Sequence, residues 1–171
     1  MNTITGNGGI IAETDYHVAT WTGKTKSGVP CKITIDNAMN RGNLDWTLAE
    51  KNEVVPAIEL TAHYENSDTQ ADEKTTCPWR VELDGEVVSG SGEILLGLGV
   101  FAIDDVDVAL CRGGGKFLVE REFRDIVADG DKGPVKGRVS LDKEVAKLSM
   151  NALTMLTNIK KMYPALAEAM A

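Results

Sequence analysis

The chain of 171 residues has few aromatic side chains, few cysteines and no long apolar run. Because only 5% of its residues are aromatic, aliphatic side chains, alanine and glycine must fill most of its core. No stretch approaches the roughly 20 apolar residues that cross a bilayer as a helix, and the opening residues lack the pattern of a secretory signal. We therefore expect a soluble protein that is made in the cytoplasm and has no membrane partner.

The cysteines are scattered along the chain. Cys31, Cys77 and Cys111 lie far apart and show no Cys-x-x-Cys spacing. An odd number of widely spaced cysteines favours reduced thiols that pack as small hydrophobic side chains, rather than disulfides or metal ligands.

Positive charge is also scarce, since 18 Lys and Arg stand against 26 Asp and Glu and the net charge is -8. A surface that binds nucleic acid needs clustered cations to displace counterions from phosphates. The composition therefore argues against a nucleic-acid-binding protein. An acidic wall repels DNA and leaves it mobile, which would suit a conduit.

The sequence lacks the spacings of common catalytic and metal sites. A Gly-Gly-Gly-Lys run has Leu110 and Phe117 where a phosphate-binding loop needs a glycine and a Ser or Thr. His17 and His63 are isolated in predicted strands, without HxH or HExxH spacing. The acidic run 104–107 lacks the glycine and distal glutamate of a calcium loop, so a solvated turn is favoured there. We predict no enzyme, no cofactor and no bound metal.

Alternation of apolar and polar side chains, the period of β-strands, is what the chain does contain. The predicted strands cover residues 16–22, 29–36, 44–48, 53–65, 78–83, a short strand after an Asp-Asp turn within 101–110, 117–127, a strand that restarts at Val135, and 148–152. Residues 93–100 are apolar with two glycines. Helical spacing of apolar residues over 153–163 predicts one late helix, and 165–170 would continue as a second short helix. The predicted fold class is mainly β, a sandwich or barrel with one flanking α-helix.

Three segments are predicted to interrupt the strands. Residues 37–43 are expected to form a loop or one short helical turn, and the glycines at 113–115 a flexible break. The Ser-Gly-Ser-Gly run at 89–92 has the composition of a flexible tether. We predict that 1–171 is a single domain, with 1–83 and 93–171 as two segments of one fold joined by a Gly/Ser linker at about 84–92.

The most informative stretch is a charged β-hairpin beginning at Phe117. Its turn, 129–134, contains Asp-Gly and Gly-Pro, which favour chain reversal. A solvated hairpin is one interpretation. The other is an arm whose charged rows pair with neighbouring copies of the chain. The predicted subunit-contact residues are Arg124, Asp129, Asp131, Lys132, Lys136 and Arg138.

Two stretches of the chain resemble the major tail tube proteins of long-tailed bacteriophages. The first is 119–166, where DGDKGPVKG at 129–137 precedes a strand and a predicted helix that ends in Met-Tyr-Pro. The second is 15–83, with DNAM at 36–39, LDWTLAEKNEV at 44–54 and a later Pro-Trp pair. Together they cover about two-thirds of the chain. Their order is the reverse of the order in that family, so the resemblance implies a circular permutant whose new joint lies at the linker.

The resemblance implies a structural role without catalysis. Proteins of this family fold as a β-sandwich or barrel flanked by a helix, close into hexameric rings and stack into a hollow tube. The implied partners are copies of the same chain and other tail proteins, and DNA passes through the lumen without specific binding. The implied location is the virion tail, and the host cytoplasm before assembly.

A second function class stays open from the sequence. A β-sandwich that binds a carbohydrate or protein ligand could use Trp21, Trp46 and Trp79 as stacking platforms. A hydrolase would need a convergent nucleophile and base, and the sequence offers no such pattern.

Overall fold

The computed structural model describes residues 3–6, 11–42, 55–65, 77–86, 95–107, 111–130, 133–152, 162–163 and 166–169. Within these ranges the chain is mainly antiparallel β-structure, which confirms the predicted fold class. The strands are β1 Thr3–Gly6, β2 His17–Thr25, β3 Pro30–Asn40, β4 Ala57–Thr61, β5 Trp79–Leu83, β6 Leu95–Ile103, β7 Val106–Asp107, β8 Cys111–Asp125, β9 Val139–Ala152 and β10 Leu166–Ala169. A short 3-10 turn at Glu13–Asp15 precedes β2.

Eight strands form one sheet in the order β7-β6-β2-β3-β4-β9-β8, with β5 also paired to β3. Strands β1 and β10 form a separate antiparallel pair. Strand β3 is the junction of the large sheet, because it pairs with β2 along one edge and with β5 and then β4 along the other. One half of the sheet therefore contains β7, β6, β2 and β5, and the other contains β4, β9 and β8.

Strand β3 bends at Asn37, between the part that pairs with β5 and the part that pairs with β4. There a step of two residues along β2 faces a step of three along β3, which is a β-bulge. Asn37 has a φ of 48°, in the left-handed region that asparagine tolerates better than most residues. Its side-chain amide donates to the His63 carbonyl over 3.3 Å, and His63 Nδ1 lies 3.1 Å from the Asn37 carbonyl oxygen. This reciprocal pair holds the bend.

The core lies between the two halves of the sheet, because apolar side chains from both halves form one buried cluster. Its members are Ala19, Trp21, Cys31, Ile33, Ile35, Ala38, Ile58, Leu60, Ala62, Phe101, Ile103, Ala146, Leu148, Met150, Ala152, Met162 and Tyr163. Alternate positions of β3, β4 and β9 supply most of them, as the period of a strand requires. Residues on both sides of the predicted linker contribute to this cluster.

Trp21 is the largest side chain in the core, and it lies across two glycines. Gly23 follows it on β2, and Gly99 faces Gly23 on β6. A Cβ atom at Gly23 would collide with the indole ring. One at Gly99 would meet the indole and come within 2.7 Å of the Thr22 carbonyl oxygen. Both positions therefore require glycine because the ring and backbone approach so closely.

Three predictions about helices and breaks are wrong within the described residues. The second short helix is instead β10, which pairs with β1, so backbone pairing has overridden the helix propensity of its Leu, Ala and Glu residues. Residues 37–40 continue β3 past the bulge instead of forming a loop. The glycines 113–115 lie within β8, where a step of four residues along β8 faces a step of two along β9. Gly115 leaves room for the Phe101 ring.

The flanking helix is not borne out. Most of its predicted span, 153–161, lies outside the described residues, and within the described ranges only Met162 is α-helical. The predicted strand 44–48 also lies outside them. The strand expected to restart at Val135 begins at Val139, because 135–138 form a turn closed by the Arg138 N–H and the Val135 carbonyl over 3.0 Å. The strand predicted separately at 148–152 is the second half of β9.

Candidate functional site

The outer part of the β8–β9 hairpin, residues 120–143, is called the arm below. Every described residue of the arm is exposed except the half-buried Ser140. Successive residues of a strand point to opposite faces, so this continuous exposure leaves both faces of the arm open to solvent. The inner part of the same hairpin differs, since Leu148 and Met150 are buried in the core. The hairpin therefore extends beyond the body of the protein.

The arm exposes large apolar side chains. Phe123 is 60% exposed and Val127 is 73% exposed. The complete set on the arm is Phe123, Ile126, Val127, Val135, Val139 and Leu141. Phe123 faces Leu141 across the hairpin and Asp125 faces Val139, so the apolar side chains of both strands share one face. Grouped apolar exposure of this kind marks an interaction surface on a soluble protein.

The charges of the arm balance. Six cations and six carboxylates lie between 120 and 143, so the net charge of -8 resides on the rest of the chain. The cations are Arg121, Arg124, Lys132, Lys136, Arg138 and Lys143, and the carboxylates are Glu120, Glu122, Asp125, Asp129, Asp131 and Asp142. The arm is thus the neutral part of an acidic protein.

Arg124, a predicted contact residue, is paired within its own hairpin. Its Nε and Nη2 donate to the two carboxylate oxygens of Asp142 over 2.7 and 3.4 Å. Asp142 is the extra residue of a second bulge, since one step along β8 faces two along β9 at this point. The Arg124 hydrogen bond lowers the pKa of Asp142, and the same bond raises the pKa of Arg124. This ion pair joins the two strands of the arm to each other.

The other predicted contact residues lie near the tip of the arm. Asp129, Lys136 and Arg138 are all exposed there, in or beside the turns that reverse the chain. Asp131 and Lys132 lie outside the described residues. The structure thus brings four of the six predicted residues together on one projecting element.

A half-buried polar cluster ties the base of the arm to the body. Trp79 Nε1 on β5 donates to Glu144 Oε1 over 2.7 Å, and Arg121 Nε binds the other carboxylate oxygen. The Trp79 ring also lies against Phe117 of β8, with ring centroids 5.7 Å apart. Burial alone would raise the pKa of Glu144, but the hydrogen bonds from Trp79 and Arg121 outweigh it and lower that pKa. Burial raises the pKa of the nearby Cys77 thiol. These contacts fix where the arm leaves the body.

Lys147 supports the same region from the outer face of the hairpin. Its ammonium lies 3.1 Å from a Glu120 carboxylate oxygen on β8 and 3.4 Å from one of Glu59 on β4. The hydrogen bond to Glu120 and the charge of Glu59 raise the pKa of Lys147. One cation thereby bridges three neighbouring strands.

A second exposed apolar surface follows the edge of β6. Leu98 is 86% exposed, and Leu95 and Val100 are about half exposed. Strand β6 carries no charged residue. Within the described ranges it pairs with β2 along one edge, and β7 covers the other edge only at Ala102 and Ile103. Among the described residues no strand pairs with 95–100 along this second edge, and β6 is bulged against β2 between Leu95 and Gly99.

The turn after β6 is acidic and anchored. Asp104 and Asp105 both have positive φ, as the two central residues of a type I′ hairpin turn do. Asp104 Oδ1 accepts the Val18 N–H over 3.0 Å, and its Oδ2 lies 2.8 Å from His17 Nδ1. Asp105 and the following Asp107 are exposed. In the described part of the chain, no group of three His, Cys, Asp or Glu side chains is placed to hold a metal ion.

Among the described residues, the tryptophans do not form an exposed platform. Trp21 is only 7% exposed in the core. Trp79 is half-buried between Phe117 and Glu144. Trp46 lies outside the described residues.

Sequence reasoning missed the apolar component of both surfaces. Phe123 shares its strand face with Phe117 and Val119, which are partly buried against the core, so the alternation alone predicts burial for all three. The uncharged run of β6, with its two glycines, was the available signal for the other surface. Its exposure depends on which strand occupies the edge of the sheet, and a single sequence does not state this order.

Comparison of the chain with models of known protein families, with curated proteins and with solved structures finds no match. Among the described residues, no helix has the length and apolar character to cross a bilayer. The arm and the β6 edge are therefore interpreted from their own geometry and chemistry.

Proposed function

We propose that this chain is a structural subunit that assembles with copies of itself, as the subunits of phage tail tubes do. The observation that carries the proposal is the arm, a projecting hairpin with both faces open and with grouped apolar side chains such as Phe123 and Leu141. A monomer gains nothing from holding these side chains in water, whereas a neighbouring copy can bury them. The sequence resemblance over 119–166 points to the same class of protein.

In this proposal the copies form hexameric rings that stack into a tube for DNA delivery, in a virion tail that also contains other tail proteins. The arm would then contact a different surface of the neighbouring copy, which is a head-to-tail contact, and head-to-tail contacts close into rings or extend into filaments. The net charge of -8 suits a wall along which DNA passes without binding.

The pairing of β1 with β10 supports the proposal of a circular permutation. Thr3 lies opposite Ala169 in this pair. Segments that lie side by side in a fold are places at which a chain can be rejoined or opened without a change of fold. The shared core is also consistent with 1–83 and 93–171 being two segments of one fold.

A ligand-binding β-sandwich has less support. Carbohydrate stacking needs exposed aromatic faces. Trp21 is enclosed in the core, and Trp79 is engaged by Phe117 and Glu144. The exposed aromatic side chain of the arm, Phe123, lies among aliphatic residues on a hairpin that extends from the body, which suits a protein contact better than a sugar site.

Light scattering against protein concentration tests self-assembly, with electron microscopy of the product. The average mass should grow from 18.4 kDa toward rings or filaments as concentration rises. The charge reversal Lys136→Glu should weaken assembly and leave the circular dichroism spectrum of the monomer unchanged. Lys26→Glu, at an exposed position on a different turn, changes the net charge equally and should assemble normally.

Two results would contradict the proposal at different levels. A mass that stays at 18.4 kDa over the whole concentration range would show that the chain does not assemble with copies of itself. If the Lys136→Glu variant forms tubes normally, the arm tip is not part of the contact between subunits, although the chain does self-assemble.

A further inference from the structure

We propose that Asp129 and Gly130, at the tip of the arm, form a site of spontaneous covalent modification at which Asp129 converts to isoaspartate. Copies of the chain that carry this modification should then join an assembly less well than unmodified copies. The reaction belongs to the isolated chain, whereas its effect on assembly rests on the proposed function.

The reaction needs only these two residues and water. The backbone nitrogen of Gly130 attacks Cγ of the protonated Asp129 carboxyl group. The amide proton and the carboxyl hydroxyl leave together as water, which closes a five-membered succinimide ring. Water then opens the ring at one of two bonds. Cleavage between Cγ and nitrogen restores aspartate, whereas cleavage between the main-chain carbonyl carbon and nitrogen leaves the chain running through Cβ and Cγ, which is isoaspartate.

The Gly130 nitrogen is accessible to this attack. Asp129 and Gly130 are both exposed in a turn, and Gly130 has a φ of 95°, which glycine adopts without steric cost. A Cβ atom at Gly130 would meet nothing within 4 Å, so no neighbouring group crowds the ring as it closes. Among the described residues, neither Asp129 nor Gly130 takes part in a hydrogen bond. The nitrogen and the carboxyl group can therefore approach each other without breaking a contact.

The turn also lies outside the β-ladder of the arm. Strand β8 ends at Asp125 and β9 begins at Val139. Just beyond them, the Ile126 N–H donates to the Arg138 carbonyl over 2.8 Å and closes the hairpin before the tip. Segments without ladder hydrogen bonds rearrange at a low free-energy cost. Residues 129–130 can thus reach the geometry of the ring while the body stays folded.

Isoaspartate at position 129 alters the surface that the arm offers to another copy. It adds one methylene carbon to the main chain and leaves the free carboxylate on the Cα atom. The turn 129–134 relies on Asp-Gly and Gly-Pro to reverse the chain, and the exposed Lys136 and Arg138 follow it directly. A longer main chain displaces these side chains relative to β8, so the modified tip should bind a neighbouring copy less well.

A second Asp-Gly pair, Asp84 and Gly85, gives an internal comparison. It is also exposed, but the Asp84 N–H donates to the Pro30 carbonyl over 3.0 Å. A Cβ atom at Gly85 would lie 3.6 Å from the Val29 side chain. The hydrogen bond restrains the Asp84 backbone. Isoaspartate should therefore form there about fivefold more slowly than at Asp129, as the net contribution of one hydrogen bond predicts.

Peptide mapping of the dilute 171-residue chain, sampled during a long incubation at pH 7, tests the reaction. The isomerised Asp129 peptide should have an unchanged mass, elute separately and resist a protease that cleaves before aspartate. Asp129→Glu is the matched variant, because it keeps the charge but would have to close a six-membered ring, so no isomerised peptide should accumulate at 129. The peptide that contains Asn7 and Gly8 reports deamidation of an Asn-Gly pair separately.

Assembly of the aged samples tests the consequence. Wild-type chain that is aged as a monomer should lose assembly in proportion to its isoaspartate content at 129. Aged Asp129→Glu should keep the assembly that it shows when fresh, although it shares every other site of ageing. When aged wild type is assembled and sedimented, the modified peptide should be enriched in the unassembled fraction.

The possible failures are distinct. Aged wild type without isoaspartate at 129, or with equal amounts at Asp84 and Asp129, would overturn the assigned site. Modified copies that enter assemblies in proportion to their abundance would overturn the effect on assembly. A wild type that never exceeds the monomer mass removes the proposed self-assembly together with that effect, and the peptide map of the monomer still decides whether Asp129 isomerises.

Discussion

At the residue scale, the packing of Trp21 restricts two neighbouring positions to glycine. The indole lies over Gly23 and Gly99, which face each other across β2 and β6. Neither glycine is needed for a turn, since both lie within strands. They are needed because a tryptophan fills the space that their side chains would occupy, so one large side chain determines the identity of two small ones.

Gly99→Ala should therefore lower the free energy of unfolding by about 1–3 kcal/mol, because the new methyl group collides with the indole and with the Thr22 carbonyl. Urea denaturation measures the change. Gly97→Ala is the matched control on the same strand, since a Cβ atom there meets nothing within 4 Å. It should stay within about 0.5 kcal/mol of the wild type. Equal losses for the two variants would show that Trp21 does not set the requirement.

Glu144→Gln should remove a pH-dependent part of the stability. The hydrogen bonds from Trp79 and Arg121 outweigh burial and lower the Glu144 pKa in the folded chain, so its stabilisation is present above the unfolded-state pKa near 4.5. That stabilisation is lost as the pH falls through the folded-state pKa. At pH 7 the variant should be less stable by about 1–3 kcal/mol, because hydrogen bonds from Trp79 and Arg121 to a half-buried carboxylate are weakened.

Urea denaturation of both proteins from pH 7 down to pH 3 measures the effect of Glu144. The difference in stability between wild type and Glu144→Gln should shrink as the pH falls below the unfolded-state pKa. Glu86→Gln removes an exposed carboxylate outside the cluster and reports any general effect of one lost charge. A difference that stays constant across this pH range would mean that the cluster does not hold Glu144 ionised.

At the element scale, the bend of β3 decides the architecture. A straight strand could pair with strands of only one half of the sheet. The bulge at Asn37 lets β3 pair with β5 before the bend and with β4 after it. The left-handed backbone at Asn37 and its hydrogen bonds with His63 are the local features that make this possible.

Asn37→Val should be less stable than Asn37→Gly by about 1–2 kcal/mol, because a β-branched residue is disfavoured in the left-handed region and glycine is not. Both variants lose the hydrogen bond from the Asn37 side chain to His63, so the difference in their stabilities reports the cost of the left-handed backbone alone. Thermal or urea unfolding measures it. Asn151→Val, at an exposed position within β9, is the control and should be neutral or slightly stabilising. Equal stability of the Val and Gly variants at 37 would argue that β3 bends without strain there.

Much of the strand content could be predicted from alternation. The segments 16–22, 29–36 and 78–83 lie within or close to β2, β3 and β5, and the Asp-Asp turn before β7 was also predicted. The continuation of β3 through Asn40 could not, because a bulge interrupts the two-residue period on which the prediction depends. The strand β10 could not either, because its residues favour a helix in isolation and only its partner β1 makes it a strand.

The candidate site was predicted in part. Turn chemistry at 129–134 and alternating charge were enough to predict the hairpin, which is now the arm. They were not enough to predict that Arg124 pairs with Asp142, since that contact depends on a bulge in the register. Nor could they predict the exposure of Phe123, because an apolar residue on a core-facing row becomes exposed only where the strand runs past the core.

At the scale of the whole molecule, the shared core predicts that neither part of the chain folds alone. Fragments 1–86 and 93–171 each contain about half of the buried cluster. Each fragment alone should therefore lack a cooperative unfolding transition, and a mixture should recover the circular dichroism spectrum and a single transition. A mixture of 1–86 with a 93–171 fragment carrying Leu148→Asp is the control and should not recover them. Cooperative unfolding of either fragment alone would mean that the chain contains two domains.

The uneven distribution of charge affects how two molecules first meet in solution. Bodies that each carry the full net charge repel one another over a distance of roughly 10 Å at 0.1 M salt. The arm has no net charge, so it is repelled much less, and it extends beyond the acidic surface of the rest of the chain. Two molecules therefore collide more often through the arm of one of them than through their acidic surfaces. The orientation of the encounter is thus biased before any side chain is buried.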